Sequence, residues 1–425
     1  MIGRSHRILA VMVVVCVQMM LNPRAGEAQS TTAYRGLFGQ RERTSKRPSS
    51  IDFSMSLIDG YDSGGDQLTA ANDLAARRGG YSNLDAALRY ARIRRQRRLK
   101  LDISNSLRYQ AELRQVLVSN YQASAAFDGP LWRSGHLDLN QSFAYTPYYQ
   151  LELFPALAVD VTQPPQAPSN DYAITKQSMT ATMTTIGLTQ NVNRRSSLEF
   201  GYERRMSTIG EAAGGLTTQN VSVRLSHRAK RFTVWHIGGD TNVAEYGLNG
   251  HTNRTQMQEL QFGLDYSRRR TSIAVSSGSS FISQSGRSYY RMTGNAVLKV
   301  EMSRKWTANA RYNRSLRFVE ALSYPFFADA FSMGVVGQPA KRLSAGMSVG
   351  YSTGEVGVSR EGGTYGTYTG SLQMTVPVTR HYALYSEYLY YHYQFTEQAV
   401  AGFLPPRLGR HTVRVGLKLW FPVLN

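Results

Sequence analysis

The segment His411–Phe421 reads HTVRVGLKLWF. Val413, Val415, Leu417, Leu419 and Phe421 fall on one side, and Thr412, Arg414, Gly416 and Lys418 on the other. Alternation of this kind marks a β-strand with one apolar and one polar face. It recurs along most of the chain. Ile51, Phe53, Met55 and Leu57 alternate, as do Leu84, Ala86, Leu88 and Tyr90, and then Leu99, Leu101, Ile103, Leu107 and Tyr109. Later segments repeat it at Leu198/Phe200/Tyr202, Val221/Val223/Leu225, Leu260/Phe262/Leu264/Tyr266, Met292/Ala296/Leu298/Val300/Met302 and Leu343/Ala345/Met347/Val349/Tyr351. Residues 176–192 and 232–239 are mixed on both faces and leave their register open.

Counting such segments from Ile51 gives about eighteen strands, with sixteen as the alternative. Tight turns are expected near Arg94–Arg98, Asp128–Pro130, Asn193–Ser196, His227–Arg231, Ser267–Arg270, Ser303–Lys305, Pro339–Arg342 and Val378–His381. Longer connections fall between them, at 60–79, 147–173, 239–256, 316–326, 354–364 and 396–409. Hairpins of alternating strands, short turns on one side and longer loops on the other, predict an all-β transmembrane antiparallel barrel over residues 51–425. An even strand count puts both chain ends on the short-turn, periplasmic side. A β-propeller or β-solenoid is the alternative architecture. It calls for a blade or coil motif that the chain lacks, and for Val, Ile and Leu where this chain uses Tyr and Ala.

Hydropathy is compatible with this picture. The mean value is −0.35, but only every second residue of a membrane barrel meets lipid. The 26 tyrosines suit the aromatic girdles at the two interfaces. Residues 1–28 form an expected signal peptide, with Arg4 and Arg7 ahead of an apolar run, Ile8 to Leu21, and small residues around Ala25–Ala28 for cleavage. The single cysteine, Cys16, lies inside that segment, so the processed chain would carry no disulfide and no thiolate metal site. Residues 29–50 are polar and basic and are expected to form a flexible periplasmic tail.

The net charge of +20 is unevenly placed. The expected turns hold Arg94, Arg95, Arg97, Arg98, Arg194, Arg195, Arg228, Lys230, Arg231, Arg268, Arg269, Arg270, Arg304, Lys305, Lys341, Arg342 and Arg380, with Asp128 the one acid among them. The polar, lumen-facing side of the strands is balanced instead. Its cations are Arg89, Lys100, Arg108, Arg224, Arg291, Lys299, Arg311, Arg414 and Lys418, and its acids Asp85, Asp102, Asp138, Glu199, Glu203, Asp265, Glu301 and Glu387. A basic periplasmic rim could gather an anionic solute, polymer or partner. It could equally serve only to keep the turns soluble.

No phosphate-binding glycine loop, Cys/His zinc spacing or nucleophile elbow is present, so no cofactor and no metal is expected. His136 and Asp138 share a strand face, and His236 and Asp240 lie near the outer end of another strand. Either pair could serve a hydrolase if a serine joined it. A nucleic-acid role finds no recognition motif and conflicts with secretion.

In its signal, alternation, turn parity and terminal strand the chain resembles Gram-negative outer-membrane β-barrels, in particular β-barrel porins and barrels found with exopolysaccharide export systems. Turn phrases such as LSHRAKRFTV, YSRRRTSIAV and EMSRKWTANA recur. Many such barrels end on an aromatic residue, whereas here Trp420 and Phe421 are followed by Pro422-Val423-Leu424-Asn425. The resemblance implies an outer-membrane channel or export pore for a polysaccharide or other anionic solute, embedded in outer-membrane lipid, with a periplasmic protein partner at the basic rim. A plugged, anchoring barrel and an outer-membrane hydrolase are the alternatives. No functional residue is carried over from the resemblance.

Overall fold

The computed structural model describes residues 49–424 apart from 64–78, 111–114, 147–148, 151–172, 176–177, 211–214, 249–250, 285, 319–324, 358–362, 380 and 397–406. The expected signal peptide, nearly all of the basic tail, and Arg380 lie outside the described residues. The strands are β1 (Ser49–Asp62), β2 (Gly79–Arg94), β3 (Arg97–Gln110), β4 (Gln115–Trp132), β5 (Gly135–Thr146), β6 (Tyr149–Gln150), β7 (Ala173–Thr175), β8 (Met179–Asn191), β9 (Ser196–Ile209) and β10 (Gly215–Lys230). They continue as β11 (Thr233–Leu248), β12 (His251–Arg268), β13 (Thr271–Gln284), β14 (Arg287–Glu301), β15 (Trp306–Arg317), β16 (Phe326–Ala340), β17 (Leu343–Val356), β18 (Thr364–Pro377), β19 (Tyr382–Phe395) and β20 (Arg407–Leu424).

Eighteen of these form one antiparallel sheet, and β6 and β7 pair separately within the connection from β5 to β8. The sheet closes on itself where β1 pairs with β20, from Ile51 opposite Leu424 to Asp62 opposite Thr412. The fold is therefore the expected all-β antiparallel barrel, and its strand number is eighteen rather than sixteen. Both described chain ends lie at the short-turn end.

The two faces separate as the alternation requires. Leu260, Phe262 and Leu264 on β12 are 62%, 59% and 47% exposed, while Ser280 and Ile282, which face inward on β13, are fully covered. Outward apolar residues run along β3 from Leu99 to Tyr109. That is about 33 Å of strand, or about 25 Å of height at a tilt near 40°. The apolar belt thus matches the hydrocarbon thickness that a barrel must cover.

The register resolves the two ambiguous stretches. Ile186 and Leu188 pair with Tyr202 and Phe200 on the outward face, and Trp235 and Ile237 pair with Leu264 and Phe262. Several sequence boundaries change. Ser49 and Ser50, expected in the tail, begin β1 because their backbones pair with Arg92 and Ala91. No turn forms at Asp128–Pro130. β4 continues to Trp132, with a register shift between Pro130 and Trp132 where the proline interrupts the ladder. The expected 239–256 loop is mostly strand, with Asp240 opposite Glu259 and Leu248 opposite His251. Its outward positions are mostly polar and its apolar ones, Ala244 and Tyr246, lie inward, which conceals the pairing. The connections after β11 and β13 are accordingly short, so not every connection at that end is a long one. At the C-terminus the strand does not stop at Phe421. It runs on to Leu424, and Pro422 is absorbed at a shift beside Ile51 and Asp52.

The register predicts opposite outcomes for neighbouring substitutions on β12. Phe262→Arg places a cation against lipid near the middle of the belt and should cost about 2–4 kcal/mol. Gln261→Arg faces the interior and should cost far less. Urea unfolding of the refolded protein in lipid vesicles measures both, and equal losses would contradict the register.

Candidate functional site

Among the described residues, the interior surface is the large polar site that the fold creates. Strand pairing places all seventeen charged residues named from the alternation on this side of the sheet. Arg89 lies opposite Asp102, Arg224 opposite Glu199, Glu387 opposite Arg414, and Lys418 opposite Ser56, itself opposite Asp85. Lys100 follows on β3, Glu203 on β9, Lys299 and Glu301 on β14, and Arg311 on β15. Antiparallel pairing sets side chains on adjacent strands beside one another, so charges of opposite sign come into contact. Arg89 Nε lies 3.2 Å from Asp102 Oδ1, and Arg224 Nη2 lies 3.6 Å from Asp265 Oδ2. Arg414 bonds to Glu387. Asp85 accepts hydrogen bonds from Ser56 Oγ at 3.0 Å and Asn83 Nδ2 at 2.7 Å.

Exposure changes along the barrel axis. In the half nearer the short turns, Lys100, Asp102, Asp138, Lys299, Glu301 and Arg311 remain open to solvent. At the other end the interior is packed. Tyr391 and Tyr393 on β19 are covered, and Phe326, Tyr365, Phe395 and Tyr393 form a chain of ring contacts with centroids 5.0, 5.8 and 5.5 Å apart in turn. On the opposite wall, Leu216, Ala244 and Tyr246 pack with Phe318, and Met257, Ile282, Leu316 and Phe327 pack with Tyr289 and Phe318. Among the described residues β14 pairs with β15 only over Gly294–Glu301, leaving an opening beside its other half. Side chains from the following strands occupy that opening: Leu316 and Phe327 reach the inner cluster, and Arg291 Nη2 donates to Glu355 Oε2 at 3.0 Å.

Two interior groups missed by the alternation matter here. Arg410 on β20 and Asp62 on β1 are almost fully buried, with side chains 4% and 2% exposed. Arg410 Nε donates to Asp62 Oδ1 at 2.5 Å, a second bond joins the same pair, and Nη1 donates to Tyr391 Oη at 3.2 Å. This bidentate pair crosses the seam where the barrel closes. Arg108, which was named, stacks 3.6 Å from the centre of the Tyr81 ring. That ring occupies the space that a side chain at Gly60 would need.

The short-turn end of the described barrel is basic. Arg94, Arg95, Arg97, Arg194, Arg195, Arg228, Lys230, Arg231, Arg268, Arg269, Arg270, Arg304, Lys305, Lys341 and Arg342 are exposed at strand ends and turns, and Arg133 joins them. Arg95 holds a positive φ of 55° in the turn between β2 and β3. Arg98 differs, being half-buried on the interior face opposite Asp128. Asp128 is therefore a lumen residue and not a turn residue. His236 is the fourth residue of β11, near the short-turn end rather than the outer one. It sits over Gly263, with Nδ1 3.5 Å from Asp265 Oδ2.

No protein-family model matches the chain, and no curated protein matches it. Among solved structures it is similar to Pseudomonas aeruginosa OpdQ (8% identity, TM-score 0.45, covering 88% of this chain and 98% of that one) and to P. aeruginosa OccK2 in complex with glucuronate (7%, 0.47, 88% and 98%). The siderophore receptor PirA of P. aeruginosa gives 11%, 0.45, 88% and 81%. Similarity at this level carries no argument about function.

Removing one partner of the seam pair leaves a buried charge alone. Arg410→Ala should cost about 3–5 kcal/mol. A lowered urea midpoint, read by heat-dependent electrophoretic migration, checks it. Loss of a few tenths only would mean that the pair is solvated in solution.

Proposed function

We propose that the protein is an outer-membrane channel of a Gram-negative bacterium. The observation that carries this reading is the combination of a closed barrel, an apolar belt outside, and a charged interior whose side chains are exposed near the basic short turns. A closed barrel leaves no backbone group unpaired against lipid, and a barrel of this strand number has room for a lumen.

The finer reading is passage of an anionic solute or a polysaccharide chain, gathered at the basic rim, where a periplasmic protein partner could also dock. The clustering of arginine and lysine on the exposed turns supports it, since exposed like charges raise the local concentration of anions. The packed interior at the far end favours a second reading, a narrow or plugged barrel that serves as an anchor. The His136 pair lends no support to a hydrolase. The His136 ring is engaged by carboxylates, and among the described residues no serine hydroxyl is hydrogen-bonded to it.

Conductance in planar bilayers separates channel from plug: discrete current steps are expected, and a silent barrel would favour the anchor. Replacing Arg228, Lys230, Arg231, Arg268, Arg269 and Arg270 by glutamine should leave folding intact and reduce anion selectivity at low salt. The effect should fade as salt rises, because exposed charges act over about 8–10 Å at physiological ionic strength. Unchanged selectivity at low salt would reduce the rim to a solubility device. Orientation is checked separately. Protease should reach a tag at 249–250 on intact cells and should not reach one at Arg269–Arg270.

A further inference from the structure

The termination of β4 at Trp132 brings together three donors that the sequence kept apart. Asp128 lies directly opposite Asp138 in the β4–β5 ladder, and His136 sits two residues before Asp138 on the same interior face. His136 Nε2 is 2.8 Å from Asp128 Oδ2 and 3.9 Å from Asp138 Oδ2, and one donor atom from each residue falls within 4.8 Å of the others. Donors held about 2.0–2.2 Å from a shared tetrahedral ion are about 3.4 Å apart, so small side-chain rotations complete the set.

Two further features suit an ion. Carboxylates placed directly across a strand pair repel each other, and Asp128 and Asp138 are so placed. On the other flank of Asp138, β8 carries Gly187, where an added Cβ would meet only Asp138 itself. No side chain at Gly187 therefore covers Asp138, which is exposed on the interior face, while Thr189 of β8 lies opposite His136. Against these stands Arg98, opposite Asp128 on β3, which competes for that carboxylate.

We propose that Asp128, His136 and Asp138 form a divalent transition-metal site on the lumen wall near the basic rim, with one nitrogen and two oxygen donors and the remaining coordination positions open to the lumen. The imidazole selects a borderline ion of the Zn²⁺ class over Mg²⁺ or Ca²⁺, which prefer oxygen alone. Two carboxylates and one divalent ion leave the centre neutral. The proposal does not depend on the channel reading.

The test is calorimetric titration of the folded, full-length barrel in detergent micelles with ZnCl₂ at neutral pH. One Zn²⁺ per chain is expected, not displaced by excess Mg²⁺. His136→Ala, Asp128→Asn and Asp138→Asn should each weaken binding by at least about tenfold. Arg98→Gln, which leaves every donor in place, should tighten it. Folding of each variant is confirmed by heat-dependent electrophoretic migration. Should His136→Ala fail to fold, the solvent-open Asp138→Asn and the tightening in Arg98→Gln carry the test. Absence of Zn²⁺ binding in the parent protein, equal competition by Mg²⁺, or unchanged binding in the carboxylate variants would overturn the site.

Discussion

Everything in this molecule depends on the pairing of β1 with β20. An open eighteen-stranded sheet would present two edges of unpaired N–H and C=O groups, and in lipid each such group costs several kcal/mol. Closure from Ile51–Leu424 to Asp62–Thr412 removes both edges at once. The contact joins the first and last strands of the sheet. The seam carries more than backbone bonds. Phe53 meets Phe421 on the outside, and Arg410 binds Asp62 within. Beyond them Ser63 N donates to the His411 carbonyl, and His411 N donates to Ser63 Oγ, both at 2.9 Å. Apolar contact fixes the lipid side of the seam, and a buried ion pair fixes the inner side near its end.

Much of this was legible in the sequence, because the signal and the physics share a period. A strand between lipid and water must alternate, so Leu260, Phe262 and Leu264 disclosed their face without any knowledge of their partners. Lumen charges followed from the same parity. Turns were legible where arginine and lysine clustered, as at Arg268–Arg270. The failures have one cause, which is that backbone pairing is blind to side-chain polarity. Pro130 looked like a turn, yet a single missing donor is absorbed by a register shift. Residues 240–248 and 251–256 looked like loop because their outward positions are mostly polar and the apolar Ala244 and Tyr246 lie inward, yet their backbones form a continuous ladder.

The Asp128 cluster shows the same limit in the candidate site. His136 and Asp138 were visible as a pair because they lie two apart on one strand. Asp128 is eight residues before His136, and only the β4–β5 register says that it faces Asp138. Its assignment to a turn hid it. Arg410 and Asp62 are further apart still. Each could have been found by extending the parity of its strand, Arg410 from Arg414 and Asp62 from Ser56. Their mutual contact required knowing that the sheet closes.

Near the end away from the short turns, the meaning of the two faces reverses. Within the belt, apolar residues point outward. On β12 the outward positions beyond Leu260 are Gln258, Gln256 and Arg254, while inward Met257 is buried. Ile209 on β9, Leu216 on β10, Tyr246 on β11 and Ile282 on β13 are likewise inward and buried. A strand that leaves lipid for water loses the reason to be apolar outside and gains a reason to be apolar inside, where side chains can pack. These strands therefore behave as a membrane barrel at one end and as a water-soluble barrel with a core at the other. The interior is exposed near the short turns, at Lys100, Asp138, Lys299, Glu301 and Arg311, and closes toward the far end, where the Arg410–Asp62 pair is buried among apolar side chains. Any solute that crosses must pass from the first region through the second. The contacts of Phe318, Leu316 and Phe327 with Met257, Ile282 and Tyr246, more than the charges near the turns, then set how wide the path can be.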